Sequence, residues 1–194
     1  MSLTETLTHK THQQFIKTIS DQQYAMPGVV IAASATQAVA LGEACMQISF
    51  DNQVDRLDWQ DVTARIEQMV HIKESLLAWV DQNADVAAKH GNLVDAGQQP
   101  PDARVFFEGP AELARLSLLA VTILTEFHPL AFQQLQENIR ITAELLHGCA
   151  RAAVVLLESR LQRWPKAMLY AEYEPVLGGL KLQLERLTGV VEPR

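Results

Sequence analysis

Along most of this chain apolar residues return every three or four positions, the spacing that lines one face of an α-helix. The longest such run predicts a helix from about Trp59 to Lys89: Val62, Ile66, Met69, Val70, Leu76, Leu77 and Val80 hold the apolar phase, and Asp61, Arg65, Glu67, Lys73 and Glu74 take other positions. Leu3, Leu7, Phe15, Ile16 and Ile19 predict an amphipathic helix from Leu3 to about Ser20. After a connector that ends in Pro27-Gly28, a breaker pair, a helix is expected from about Val29 to Phe50. Its many alanines would let neighbouring backbones come close. Asp51 to Asp58 reads as a polar loop.

The stretch from His90 to Pro110 holds three prolines and three glycines and reads as a long loop, either functional or a spacer. Further helices are expected over Ala111 to Phe127 and over Leu130 to Trp164, the latter with a break near Asn138 and an end at Pro165. A last helix near Glu174 to Leu187 should be broken early by Gly178-Gly179. No stretch alternates long enough for a sheet, and no internal repeat is found. The pattern therefore predicts one all-α domain spanning residues 1–194, a helical bundle of five to seven helices.

Composition agrees with this reading. The 194 residues are 48% hydrophobic and 20% charged, enough for a core that needs neither disulfides nor metals. A net charge of −7 with scattered Lys and Arg argues against a nucleic-acid partner. Residues Gln22 to Gly42 carry no charge. That window is rich in Ala, Val, Ser, Thr and Gln, where membrane spans favour Leu, Ile and Phe, so a buried helix is expected and no membrane span. The polar first twenty residues lack the apolar core of a signal peptide. Cys45 and Cys149, far apart in apolar segments, read as reduced core thiols of a cytoplasmic protein.

Motifs for chemistry are sparse. Glu144-x-x-His147 has the spacing of a di-iron bundle ligand pair, but such a centre needs a second copy and two more carboxylates. Glu67, His71 and Glu74 share a helical face, which more commonly carries solvated ion pairs than a cation. Neither a phosphate loop nor a dinucleotide fingerprint is present. No metal and no cofactor are expected.

The order of segments, more than any single motif, resembles the formimidoyltetrahydrofolate cyclodeaminase and methenyltetrahydrofolate cyclohydrolase family. "MPGVVIAASATQAVALGEACM" (Met26 to Met46) is similar to its Pro-Gly-Gly-Gly-Ser loop and Ala-rich helix, and "LLAWVDQNADVAAK" (Leu76 to Lys89), followed by Pro100-Pro101, to its acidic helix end and Pro-containing loop. "ARLSLLAVTILTEFHPL", with Arg115 and Pro129-Leu130, and "ENIRITAELLHGCARAAVVLLESRL" (Glu137 to Leu161) are similar to the segments that follow. The resemblance spans roughly residues 3 to 162. It implies a homodimeric enzyme acting on a tetrahydrofolate derivative, with Asp81 or Asp85 as acid/base. Pro27, Gly28, Asn83, Arg115, Asn138 and Arg140 would hold the ligand, an arginine taking the glutamyl carboxylate.

The departures matter as much. Val29 and Val30 stand where the loop would have its other glycines, and Ile31 where it would have Ser. β-branched residues resist the backbone conformations that let a Gly loop approach a ligand. Asn83 and Ala143 occupy two of the acidic positions, and neither an amide nor a methyl group exchanges protons. Two functions follow as expectations: a folate one-carbon enzyme, or a catalytically inert helical homodimer that binds a protein or another small molecule.

Overall fold

The computed structural model describes residues 7–52, 59–98, 103–164 and 169–191. Among them are six α-helices and three short 3₁₀ turns, and no strand. The helices are α1 (His12–Ser20), α2 (Pro27–Asn52), α3 (Trp59–Asp95), α4 (Val105–Phe127), α5 (Gln136–Arg163) and α6 (Tyr170–Val191). The 3₁₀ turns are Leu7–His9, His128–Leu130 and Gln133–Leu135. The all-α bundle expected from the sequence is the fold observed.

Helix α4 is the centre of the bundle. It packs most extensively on α5 and also touches α6, α3 and α2, while α2 lies between α3 and α5. Its sequence explains the position: Phe107, Leu113, Ala114, Ala120, Val121, Leu124 and Phe127 are fully buried, and apolar residues occupy most of its circumference. Helices α2 and α5 run antiparallel. The start of α2 meets the end of α5 around Arg160, and Ser49 near the end of α2 accepts from the Phe132 backbone N–H at 3.1 Å, just before α5 begins. By length and composition alone α2 and the stretch Val105–Leu130 could each cross a bilayer, a test that buried core helices also pass.

Several helix limits differ from the pattern-based reading. The first expected helix is divided: Leu7–His9 forms a 3₁₀ turn, and α1 starts after Thr11, whose hydroxyl accepts from Gln14 N–H while the Gln14 side chain accepts from Thr11 N–H. Residues 3–6 lie outside the described residues, as does most of the expected Asp51–Asp58 loop.

The expected His90–Pro110 loop is largely helical. Helix α3 continues to Asp95, burying Gly91 against Tyr24 and Val94 in the core. It ends in a Schellman turn: Gln98 N–H donates to Leu93 O at 2.8 Å, Gly97 N–H donates to Val94 O at 3.0 Å, and Gly97 has φ of 76°. Helix α4 starts six residues before Ala111, because Phe106 and Phe107 are buried and outweigh the donor lost at Pro110. Likewise α6 runs unbroken through Gly178-Gly179. Each exposed glycine costs about 1 kcal/mol relative to Ala, offset by burial of Tyr173, Leu180 and Leu184 on the core side. The interruption expected near Asn138 falls earlier, before Gln136.

Candidate functional site

Three of the sequence-selected residues meet at one place. Pro27 and Gly28, in the first turn of α2, and Asn83 of α3 line a cavity closed by Phe106 and Pro110 of α4 and by Leu156 and Arg160 of α5. Gly28 is needed for this approach: a Cβ there would overlap Asn83 Oδ1 and lie 2.9 Å from Asn83 Cγ. The Asn83 side chain is held against the glycine, since its Nδ2 donates to Trp79 O at 2.7 Å. Val29 is fully buried, and Val30 turns outward. The space left is ≈ 40 Å³. That admits a few waters, whereas sites for organic ligands commonly measure about 300–1,000 Å³.

Arg160 is the residue that sequence reasoning missed. It lies 5.5 Å from the Phe106 ring centroid and 5.7 Å from that of Trp164. Burial pulls its pKa below the usual arginine value, the neighbouring Arg163 adds to this, and Asp95 opposes it. Its signal was readable: position 160 continues the inward phase of Thr142, Ala153 and Leu156, where an arginine is out of place.

The remaining candidates lie elsewhere. Asp81 faces the N-terminal 3₁₀ turn, and Thr8 engages both of its oxygens, through N–H at 3.2 Å and through Oγ1 at 2.7 Å. Asp85 is exposed. Replacing Asp81 by Asn is therefore expected to cost about 1 kcal/mol, with faster amide exchange at residues 7–10, both measurable on the purified variant. An unchanged exchange pattern would contradict this anchoring role.

Arg115 does not line this cavity but a separate groove, where its fork is taken by Glu112 at 2.8 and 2.6 Å. The hydrogen bond to Glu112 raises the Arg115 pKa further. Asn138 and Arg140 are exposed at the start of α5, about 30 Å along that helix from Arg160 at 1.5 Å per residue. They do not line the Gly28 cavity.

Two open grooves are larger. One of ≈ 600 Å³ runs between α3, α4 and α6, with Trp79, Gln82, Glu108, Glu112, Arg115 and Tyr173 on its walls. Another of ≈ 380 Å³ continues from Arg115 along α4 and α6 to Arg186. Burial raises the Tyr173 phenol above its ordinary pKa, helped by Glu172 and Glu108.

Metal-ligand geometry is not found among the described residues, where no three His, Cys, Asp or Glu side chains converge. Glu144 points to solvent, whereas His147 is buried with Nε2 3.2 Å from Leu184 O. Both cysteines are free; Cys45 is buried and Cys149 half-buried, and burial raises both thiol pKa values, the reverse of nucleophile activation.

Comparison of the chain with known family models and with curated proteins gives no match in either case.

Proposed function

We propose that this chain is a catalytically inert, cyclodeaminase-like helical protein of the cytoplasm, homodimeric, that neither closes a formimino group nor opens a methenyl group on tetrahydrofolate. The observation that carries this reading is the filled space over Gly28. Asn83 occupies the volume that a ligand would need, and ≈ 40 Å³ remains. Two further features support it. Asp81 is engaged by Thr8, and the Arg115 fork is occupied by Glu112, so neither is poised for a folate.

An activity assay tests the reading. Incubation of the purified protein with 5,10-methenyltetrahydrofolate, followed by the loss of its absorbance, is expected to proceed at the rate without protein, and formiminotetrahydrofolate is expected to release no ammonia above background. Turnover that rises in proportion to protein concentration would overturn it.

The ≈ 600 Å³ groove favours a second reading, in which the protein binds a different small molecule there. Its aromatic walls and mixed charges suit a planar polar compound. A ligand screen read by Trp79 fluorescence in a variant lacking the other two tryptophans addresses that reading directly.

A further inference from the structure

Of the thirteen large hydrophobic residues exposed among those described, six fall on a single face made by α2 and α5: Val30, Leu41 and Ile48, and Ile141, Leu145 and Val155. Such a concentration is unlike the scattered exposure of ordinary surfaces. The spacing is regular. On α2 the residues are eleven and seven apart, and on α5 four and ten, so each set forms one stripe along its helix. The two stripes adjoin, because α2 and α5 pack side by side. From Pro27 to Gly42 no α2 residue bears a charge.

We infer that this face is covered by the same face of a second copy of the chain, with α5 antiparallel to its counterpart and the two-fold axis passing beside Gly148. Ile141 and Val155 each lie seven residues from that position. An antiparallel pairing sets Ile141 opposite Val155 of the second copy and Leu145 opposite Ala152, with Gly148 at the crossing. Gly148 is exposed, and a Cβ there would meet nothing within 4 Å, so the two backbones can approach at that point.

Charge selects this orientation. Glu144 and Arg151 flank the stripe, both exposed, and neither has an ion-pair partner among the described residues. In the antiparallel arrangement Glu144 of each copy meets Arg151 of the other. A parallel arrangement would set like charges face to face, which is repulsive.

Stripes about 27 Å long on α2 and about 21 Å long on α5, each about 9 Å wide, give roughly 430 Å² of projected face per copy, or about 860 Å² in total, the size of a weak, reversible interface. This inference deepens the homodimer reading above and rests on it for the number of copies; the interface itself comes from the surface.

Sedimentation equilibrium of the full chain, with circular dichroism to confirm unchanged helix content, provides the test. Wild-type protein is expected at twice the 21.6 kDa chain mass. Leu145→Glu should be monomeric, and Glu144→Arg should weaken the dimer by roughly tenfold or more. The combined swap, Glu144→Arg with Arg151→Glu, should restore it, which no merely structural effect of either residue would do. A dimer indifferent to Leu145→Glu and Glu144→Arg would move the interface elsewhere and overturn the surface while leaving the homodimer reading intact. A wild-type monomer would overturn both. Flotation of that monomer with phosphatidylcholine vesicles would identify a bilayer as the face's cover instead.

Discussion

Phe107→Ala should cost about 3–5 kcal/mol, the range for removing a fully buried aromatic side chain. Phe107 has no exposed surface and joins three helices at the end of the bundle. Its ring stacks on Tyr173 of α6 at 5.6 Å and 28°, and meets Trp164, just after α5, at 6.0 Å. Phe106 adds an edge contact to Trp164 at 6.0 Å. Truncation would therefore leave a cavity and remove aromatic pairs that contribute about 0.5–1.5 kcal/mol each beyond burial.

A domain of this size has about 5–15 kcal/mol of stability, so the variant would approach the unfolding threshold. Outside the ring cluster, Arg104 and Glu172 join α4 to α6 through two hydrogen bonds of 2.8 and 2.9 Å. Those side chains are largely exposed and should not compensate. Urea unfolding followed by circular dichroism measures the loss, and a cost below about 1 kcal/mol would show that the cluster is not a main attachment of α6.

Gly28→Ala has the second largest expected effect, and its sign depends on a neighbour. Alanine is normally the better helix former by about 1 kcal/mol. Here the added methyl would strike the Asn83 carboxamide, held in place by Trp79 O, so a net destabilisation of about 1–3 kcal/mol is expected. Placing the substitution in an Asn83→Ala background removes the obstacle, and Gly28→Ala should then become neutral or stabilising. The coupling in this double-mutant cycle reports whether Asn83 fills the space above Gly28 in solution. Additive effects would mean that the carboxamide lies elsewhere and that the cleft is open.

How far these features could be read from the sequence follows from their range. Helix interiors were legible because burial writes a three-to-four-residue period into α3 and α5. Helix ends were less so. The local rules that stop a helix at Pro110 or at Gly178-Gly179 cost a few kcal/mol at most, and the partners that outweigh them, such as Trp164 and Tyr173, lie some sixty residues from Phe107 or on the opposite face of α6.

For the site, Pro27, Gly28 and Asn83 line one cavity from two different helices. That Asn83 closes the space above Gly28 is a matter of side-chain direction, which no spacing encodes. Asp81 and Arg115 were named from the same resemblance, yet each is engaged by a partner, Thr8 or Glu112, that also has an ordinary structural use for it. Arg160 entered the cavity from a helix 130 residues downstream. Only its intrusion into an apolar phase marked it.

The central claim, that the cleft beside Gly28 is too full for a folate, is tested most directly by calorimetric titration of the wild-type chain with tetrahydrofolate and with 5,10-methenyltetrahydrofolate. The account predicts no saturable heat up to about 1 mM ligand, a limit that corresponds to about −4 kcal/mol of binding free energy. Micromolar binding that the Gly28→Ala variant abolishes would contradict it and return the enzyme reading to first place.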